Sequence, residues 1–386
     1  MFRPHKQQGV HMIVGVPRET FPGERRVALV PSHVSVLTKA GLDVQVEKGA
    51  GEPSGYLDAD YQEKGASVVD NVRSTADILL TVRSGAANGD SDPGPGKDGQ
   101  TIIGYLEPYA SHSVFKSYQQ KNVTAFSMEL IPRITRAQSM DALSSMANLA
   151  GYRASILGAE ALPKMFPMMM TAAGTIVPAK AFIIGVGVAG LQAIATTRRL
   201  GAVVSAYDVR PAVKEQVQSL GAKFVEFDLE SAEGSGGYAK EMGEEFYRKQ
   251  RELMGDVLAE MDLVITTAAI PGKKSPVLVT EEMVKRMQPG SVIVDLATER
   301  GGNCELSEAG KTVVKHGVTI VGPLNIPSAL AFNASQLYSK NITTFLSAML
   351  KDGELVIDTD DEIMAATLVT HKGEIPNDDT RARLEG

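Results

Sequence analysis

The chain has 386 residues, 43% of them hydrophobic, which is enough for two sizeable cores. A net charge of −7 argues against nucleic-acid binding as the main task, and no apolar run reaches the ~18–20 residues that span a bilayer, so direct membrane insertion is not expected and a membrane role would go through a partner. Cys304 is the single cysteine, which excludes an internal disulfide, fits a reducing compartment and reads as an ordinary small residue.

Residues 1–11 are polar and lack an apolar h-region, so they read as a disordered extension and not a secretory signal. A strand follows at 12–16, then a charged loop through Arg25 and Arg26. Ser32 reads as the N-cap of a helix ending near Gly41. Strands at 42–47, 68–69, 78–82, 102–106 and 123–126 alternate with helix-like 58–64 and 113–120, which predicts a parallel sheet with helices on both faces. Residues 84–100, rich in Gly, Asp and Pro, read as a flexible surface loop.

A long small-residue helix is expected to continue to about Leu162 and to bridge two domains. At its start Gln138, Asp141 and Ser144 fall at i, i+3 and i+6, roughly one helical face. Three polar groups so placed can line a cleft, or can be a solvated, capped helix start. Met165, Met168, Met169 and Met170 follow; their thioethers suit a soft metal or flexible packing.

Residues 181–184 then form a short apolar run, with Gly185, Gly187 and Gly190 as G-x-G-x-x-G directly behind it. An Ala- and Leu-rich helix, Val188 and Ala189 in its first turn, ends at Gly201, and a second strand carries Asp208 at its carboxyl end. This is the dinucleotide fingerprint in its strand–turn–helix setting. Gly185 permits the turn, Gly187 lets a pyrophosphate approach the backbone, and Gly190 lets helix and strand pack closely. The free N–H groups and positive dipole end of the helix favour phosphate. A carboxylate at Asp208 can accept from a ribose 2′-OH and would repel a 2′-phosphate, which favours NAD over NADP; Arg210 follows that carboxylate without replacing it.

Further on, 224–227 reads as a strand and 228–237 as a polar Gly/Ser-rich stretch. Residues 238–254 read either as a hinged flap or as a plain surface helix. A strand over 262–267, containing Thr266, delivers Ala268 and Ala269 at its carboxyl end, where sheets of this type bind ligands. Strands at 292–296 and 319–321 complete the sheet, and a helix from Pro327 returns to the first domain. The expected architecture is α/β, with two doubly wound, Rossmann-like parallel-sheet domains: 1–143 plus 329–386, and 144–328, the second carrying the fingerprint.

Two blocks carry a resemblance. Gly15-Val16-Pro17-Arg18-Glu19 with Arg26-Val27-Ala28 and Pro31, and the stretch from Ile183 to Asp208, resemble the signatures of alanine dehydrogenases and proton-translocating nicotinamide nucleotide transhydrogenases, over residues 12 to about 369. Alanine dehydrogenases carry Tyr-Leu-His where this chain has Tyr105-Leu106-Glu107, Lys-Val-Lys where it has Thr81-Val82-Arg83, and Asp where Glu299 stands. Arg26 is retained but cannot serve as a base. Arg133, Gln138, Asp141 and Ser144 instead match the Arg-Gln-Asp-x-x-Ser loop of the transhydrogenase soluble domain I, and residues 237–242 resemble its mobile loop.

The resemblance implies the soluble alpha-subunit form, with NAD(H) bound by this chain. Gly187, Val188, Asp208, Val209 and Arg210 would surround pyrophosphate and adenosine. Ala268 and Ala269 would border the nucleotide, and Gly237 and Gln250 would close over it. Arg133 would orient the carboxamide, while Gln138, Asp141 and Ser144 hold the nicotinamide end. Hydride would pass to NADP+ on a separate domain III, with protons moved by a membrane domain II partner, in a homodimer on the cytoplasmic side of a bacterial inner membrane. The competing expectation is an alanine dehydrogenase-like amino-acid dehydrogenase, with a non-catalytic NAD sensor as a third.

Overall fold

The computed structural model describes residues 12–110, 113–227, 243–269 and 273–385. They form two compact units, residues 1–146 with 327–386, and residues 147–326. Each is built on one seven-stranded sheet.

In the first unit β1 (Ile13–Val16), β2 (Asp43–Glu47), β3 (Ser67–Val69), β4 (Ile78–Arg83), β5 (Thr101–Tyr105) and β6 (Thr124–Ser127) lie in the order β3-β2-β1-β4-β5-β6, all parallel. In the second, β7 (Met169–Thr171) and β8 (Gly174–Ile176) make a separate antiparallel ribbon. There β9 (Lys180–Ile184), β10 (Val203–Tyr207), β11 (Lys223–Phe224), β12 (Leu263–Thr266), β13 (Val292–Asp295), β14 (Lys311–Lys315) and β15 (Val318–Gly322) lie in the order β11-β10-β9-β12-β13-β15-β14, parallel except for β14. The chain re-enters the first unit at residue 327, runs through the helix Ala331–Ala348 and a short pair, β16 (Leu350–Lys351) and β17 (Glu354–Leu355), and adds β18 (Leu368–Thr370) antiparallel to β6. Both sheets therefore have the doubly wound order, reversing between β1 and β4 and between β9 and β12.

The sequence makes these sheets parallel because their central strands are apolar on both faces. β12 and β13 are buried at every position. Alternate residues separate cleanly: Ile183, Val204, Leu263, Ile265 and Val294 pack in one layer with Ala193 and Ile194, whereas Phe182, Ile184, Val264 and Ile293 pack in the other with Met254, Leu258 and Val284. Helix ends follow local chemistry. Thr280 accepts from the Met283 N–H, with Glu281 and Glu282 in the first turn and Lys285 and Arg286 in the last. In the first unit residues 26–30 run buried without a strand partner, and serines supply acceptors along and just before them: Ser328, Ser335 and Ser339 accept from the N–H groups of Arg25, Val27 and Val30.

The structure corrects several expectations. Residues 84–100 do not form a loose loop: Gly85–Ser91 is 3-10 helical, with Ala86, Ala87 and Asn88 buried. Met165, Met168, Met169 and Met170 do not pack the interior, although Phe166 between them does. Met168 is 60% exposed, and Met169 and Met170, at 41% and 79%, lie in a two-stranded ribbon with every residue exposed. β14, absent from the sequence reading, is an exposed edge strand with lysine at both ends. The sequence suggests that Val356, Ile357 and the stretch 363–369 pair as short strands or form an arm; instead Val356 and Ile357 lie in no strand, and 363–369 runs through the helix Glu362–Thr367 into β18. The stretch 377–386, whose polar sequence reads as loose, contains the helix Asp378–Glu385. Residues 1–11 and 228–242 lie outside the described residues.

Candidate nucleotide site

The fingerprint turn is shaped by contacts that only glycine allows at two of its three positions. Gly185 leaves β9 at φ +91°, in the left-handed region. A Cβ on Gly190 would lie 1.9 Å from the Gly185 carbonyl oxygen. Gly187 differs: its φ of −81° suits any residue, and among the described residues nothing lies within 4 Å of where its Cβ would be, its chain neighbours aside. The fold itself gives no reason for a glycine there, which fits a backbone cradle meant for a ligand. Gly187 is the N-cap of the helix Val188–Arg199, so Val188 and Ala189 present the unpaired N–H groups of its first turn.

The small-residue helix Ala142–Ala161 supports this turn. A Cβ on Gly151 would sit 2.1 Å from the Ala189 carbonyl oxygen, and Ser155 Oγ donates to the Ala193 carbonyl at 3.2 Å while accepting from Thr197 Oγ1 at 2.9 Å. Its small residues thus seat the fingerprint helix.

Asp208 leaves β10 beside the turn and is 9% exposed. Its Oδ2 accepts from the Val186 N–H at 2.7 Å, tying the turn to the neighbouring strand. Arg210 returns to the same carboxylate: its N–H and Nε donate to Oδ1 at 2.9 and 2.8 Å, and Nη2 donates to Oδ2 at 2.7 Å. These four donors match the roughly four lone-pair positions of a carboxylate. Ribose hydroxyls would compete with Arg210, and Asp208 does not stand as a bare negative charge. Val209, between them, is partly buried against the Phe182 and Ile184 layer.

Across β9 from Asp208, β12 brings up the opposite wall. Thr267 Oγ1 donates to the Gly185 carbonyl at 2.9 Å, and Ala268 follows, with Ala269 exposed. Thr266 does not face this wall: it is fully buried and donates to Asp295 Oδ1 at 2.9 Å. Gln250 is likewise no surface flap residue. It is 1% exposed on the helix Glu244–Leu258 and donates to the Tyr207 hydroxyl at 3.1 Å. Gly237 lies outside the described residues. The sequence reading misses the buried Asp295; a lone carboxylate closing an apolar strand is the available signal. Its oxygens accept from Thr266, Ala297, Asn303, Cys304 and Ser307.

Arg133, Gln138, Asp141 and Ser144 belong to the first unit or its end. Gln138 lies in a 3-10 helix, Thr135–Met140, and the chain breaks at Asp141 with ψ 89°, so the three polar groups do not share one α-helical face. Asp141 caps the following helix: Oδ1 accepts from the Ser144 N–H at 2.8 Å and Oδ2 from Ser144 Oγ at 2.5 Å. Arg133 and Gln138 are exposed.

The first sheet has an equivalent reversal between β1 and β4, and there the chain fills the place itself. Glu19 accepts from the N–H groups of Val82 and Arg83 at 2.7 and 3.0 Å. Glu24 Oε1 and Oε2 accept from Arg26 Nε and Nη2 at 2.7 and 2.6 Å, and Oε2 also accepts from Arg83 Nε at 3.1 Å. Burial pushes the Glu19 carboxyl up to about 7. Burial would raise Glu24 too, but the hydrogen bonds and charge of Arg26 hold it down at about 2. Arg26 is only 4% exposed, with its Nε and Nη2 held by the Glu24 carboxylate.

The second unit is a Rossmann-type nucleotide-binding fold, with its glycine turn, helix N-terminus and strand-end carboxylate converging at the reversal of strand order. The alanine dehydrogenase/PNT N-terminal domain model matches residues 15–150 and the corresponding C-terminal domain model residues 154–378. The chain belongs to the alanine dehydrogenase/PNT family. It is 50% identical to the first part of NAD(P) transhydrogenase subunit alpha of Rhodospirillum rubrum, over 94% of this chain and 97% of that protein. The crystal structure of transhydrogenase from Sinorhizobium meliloti superposes with a TM-score of 0.84 at 48% identity, covering 94% of this chain and 99% of that one. Alanine dehydrogenase 2 of Staphylococcus aureus is 32% identical over 95% of each chain.

Proposed function

We propose that this chain is the NAD(H)-binding alpha subunit of a transhydrogenase, passing hydride between NADH and NADP+ held on a separate domain. The observation that carries nucleotide binding is the space over Gly187, which nothing among the described residues contests, beside Asp208 and the N-terminus of the helix Val188–Arg199. The fit of the residues is good. Gly187, Val188 and Ala189 offer backbone N–H groups to a pyrophosphate, and Asp208 offers acceptors to a ribose once Arg210 yields them. Bound NADH supplies the hydride. Arg133, Gln138, Asp141 and Ser144 are assigned to the nicotinamide end, and Gly237 to closure over it, on family resemblance. Val209, Ala268 and Ala269 border the nucleotide. Direct hydride transfer needs two rings held in apposition and no general base, so a chain without a catalytic histidine at Glu107 is suited to it.

The two units serve as its N-terminal and NAD(H)-binding domains. The complete system comprises a membrane partner that moves protons, an NADP(H)-binding partner and a second copy of this chain, at the cytoplasmic face of a bacterial inner membrane. Among the described residues no helix is long and apolar enough to cross a membrane, which is compatible with attachment through partners. Against an alanine dehydrogenase-like role stand the buried pairing of Arg26 with Glu24 and the greater identity to transhydrogenase alpha subunits. The test is reconstitution with an NADP(H)-binding transhydrogenase domain. NADPH on that domain should reduce a spectrally distinct NAD+ analogue on this chain, and alanine should not reduce NAD+. Alanine-dependent NADH formation without any partner would establish the other reading.

A further inference from the structure

We propose that Asn303 is a positioning residue for the nicotinamide half of the nucleotide site. The proposal rests on the NAD(H) reading above. Asn303 is fully buried just beyond β13, and each polar atom of its side chain is engaged. Oδ1 accepts from the Ala268 N–H at 3.0 Å, while Nδ2 donates to the Ala268 carbonyl at 2.9 Å and to the Pro276 carbonyl at 2.9 Å. One amide thus reads both backbone groups of Ala268, as a neighbouring strand would, at the point where β12 has ended and no strand remains to do it.

The amide is itself aimed. The Asn303 N–H donates to Asp295 Oδ2 at 2.9 Å, and its carbonyl accepts from Leu278 and Val279 at 2.8 and 2.9 Å. Asp295 is anchored in turn to β12 through Thr266. At the far end, Ala268 lies against the fingerprint: a Cβ on Gly185 would come within 3.1 Å of the Ala268 nitrogen. A continuous path of hydrogen bonds and contact runs from Asp295 through Asn303 and Ala268 to the turn.

Sheet order decides which half of a dinucleotide this affects. Asp208 ends β10 on one side of β9, and Ala268 follows β12 on the other. A dinucleotide lies across such a reversal, so with its adenosine over β10 its other half lies over β12. A residue that merely holds the fold together would weaken both halves alike. A residue that sets the Ala268 wall weakens NADH and leaves an adenosine fragment untouched.

The experiment measures NADH and 5′-AMP binding to the full chain for wild type, Asn303→Asp and Asn303→Ala. Both variants should lose about tenfold or more in NADH affinity, the scale of one or two buried hydrogen bonds, with 5′-AMP affinity unchanged. In Asn303→Asp the oxygen replacing Nδ2 faces the carbonyl oxygens of Ala268 and Pro276, so its NADH loss should shrink as pH falls and the group regains a proton to donate. The Asn303→Ala loss should not vary with pH. If Asn303→Asp does not fold, the NADH-to-AMP split in Asn303→Ala decides alone. Wild-type binding of NADH, with equal losses for both ligands or none for either in the variants, overturns the positioning role. Absence of NADH binding by wild type overturns the nucleotide reading together with it.

Discussion

Replacing the fingerprint glycines one at a time separates folding from binding, because the structure gives Gly187 and Gly190 opposite roles. In Gly190→Ala the new methyl would lie 1.9 Å from the Gly185 carbonyl oxygen, a backbone atom that cannot step aside. The helix Val188–Arg199 must lift from β9, at a cost of about 1–3 kcal/mol or more. At about 2–4 °C per kcal/mol, the melting temperature should fall by roughly 2–12 °C. Gly187→Ala meets no atom of the described residues beyond its chain neighbours, and its φ of −81° suits alanine. A poorer N-cap costs about 0.5–1 kcal/mol, and a stiffer unfolded chain returns about 0.4–1 kcal/mol. Its melting temperature should therefore stay within about 2 °C of wild type. The methyl would instead occupy the pyrophosphate approach and weaken charge-assisted bonds worth about 1.5–3 kcal/mol, or roughly 10- to 100-fold in affinity. Calorimetric melting and NADH fluorescence titration measure the two effects, and the chain has no tryptophan to transfer energy to the cofactor. Unchanged NADH affinity in Gly187→Ala, or wild-type melting in Gly190→Ala, would refute the division of roles.

Other outcomes follow from the charges. Glu19 has a folded pKa of about 7 against an ordinary 4.5, so between those values the unfolded chain ionises first and stability falls as pH rises, by on the order of 3 kcal/mol, levelling off above 7. Glu24, held at about 2, gives the opposite limb: its contribution is present above about 4.5 and is lost as pH falls toward 2. Denaturant titrations across pH should show the falling limb in wild type and its loss in Glu19→Gln; an unchanged limb in the variant would count against the buried-carboxyl assignment. Arg210→Ala frees the four-fold occupied carboxylate of Asp208. NADH should then bind as well as or better than in wild type, while NADP(H) binds worse because Asp208 is no longer neutralised; competitive titration of the two nucleotides checks the ratio, and a gain for NADP(H) would contradict it.

What is legible before the structure is local chemistry with a strong sequence footprint. The fingerprint needs only three glycines, an apolar run and a carboxylate at the next strand end, and all of them lie within residues 181–208. The alternation of apolar runs and helices places both sheets for the same reason. The misreadings lie where one residue breaks a pattern or where partners are distant in sequence. A single non-helical torsion at Asp141 removes the shared face of Gln138, Asp141 and Ser144. Gln250 looks like a flap residue in a charged stretch, but its partner, the Tyr207 hydroxyl, is 43 positions away. Asn303 reaches Ala268 across 35 positions, and no spacing rule connects them. Arg210 sits two residues from Asp208, yet only the observed backbone bend shows that it returns to pair with it.

The most direct test of hydride transfer between two nucleotides is to follow the atom. NADH carrying deuterium at the transferable position of C4, incubated with this chain, its NADP(H)-binding partner and NADP+ in ordinary water, should deliver the label intact to NADPH. Label released to solvent, or recovered in an amino acid without any partner present, would contradict the account.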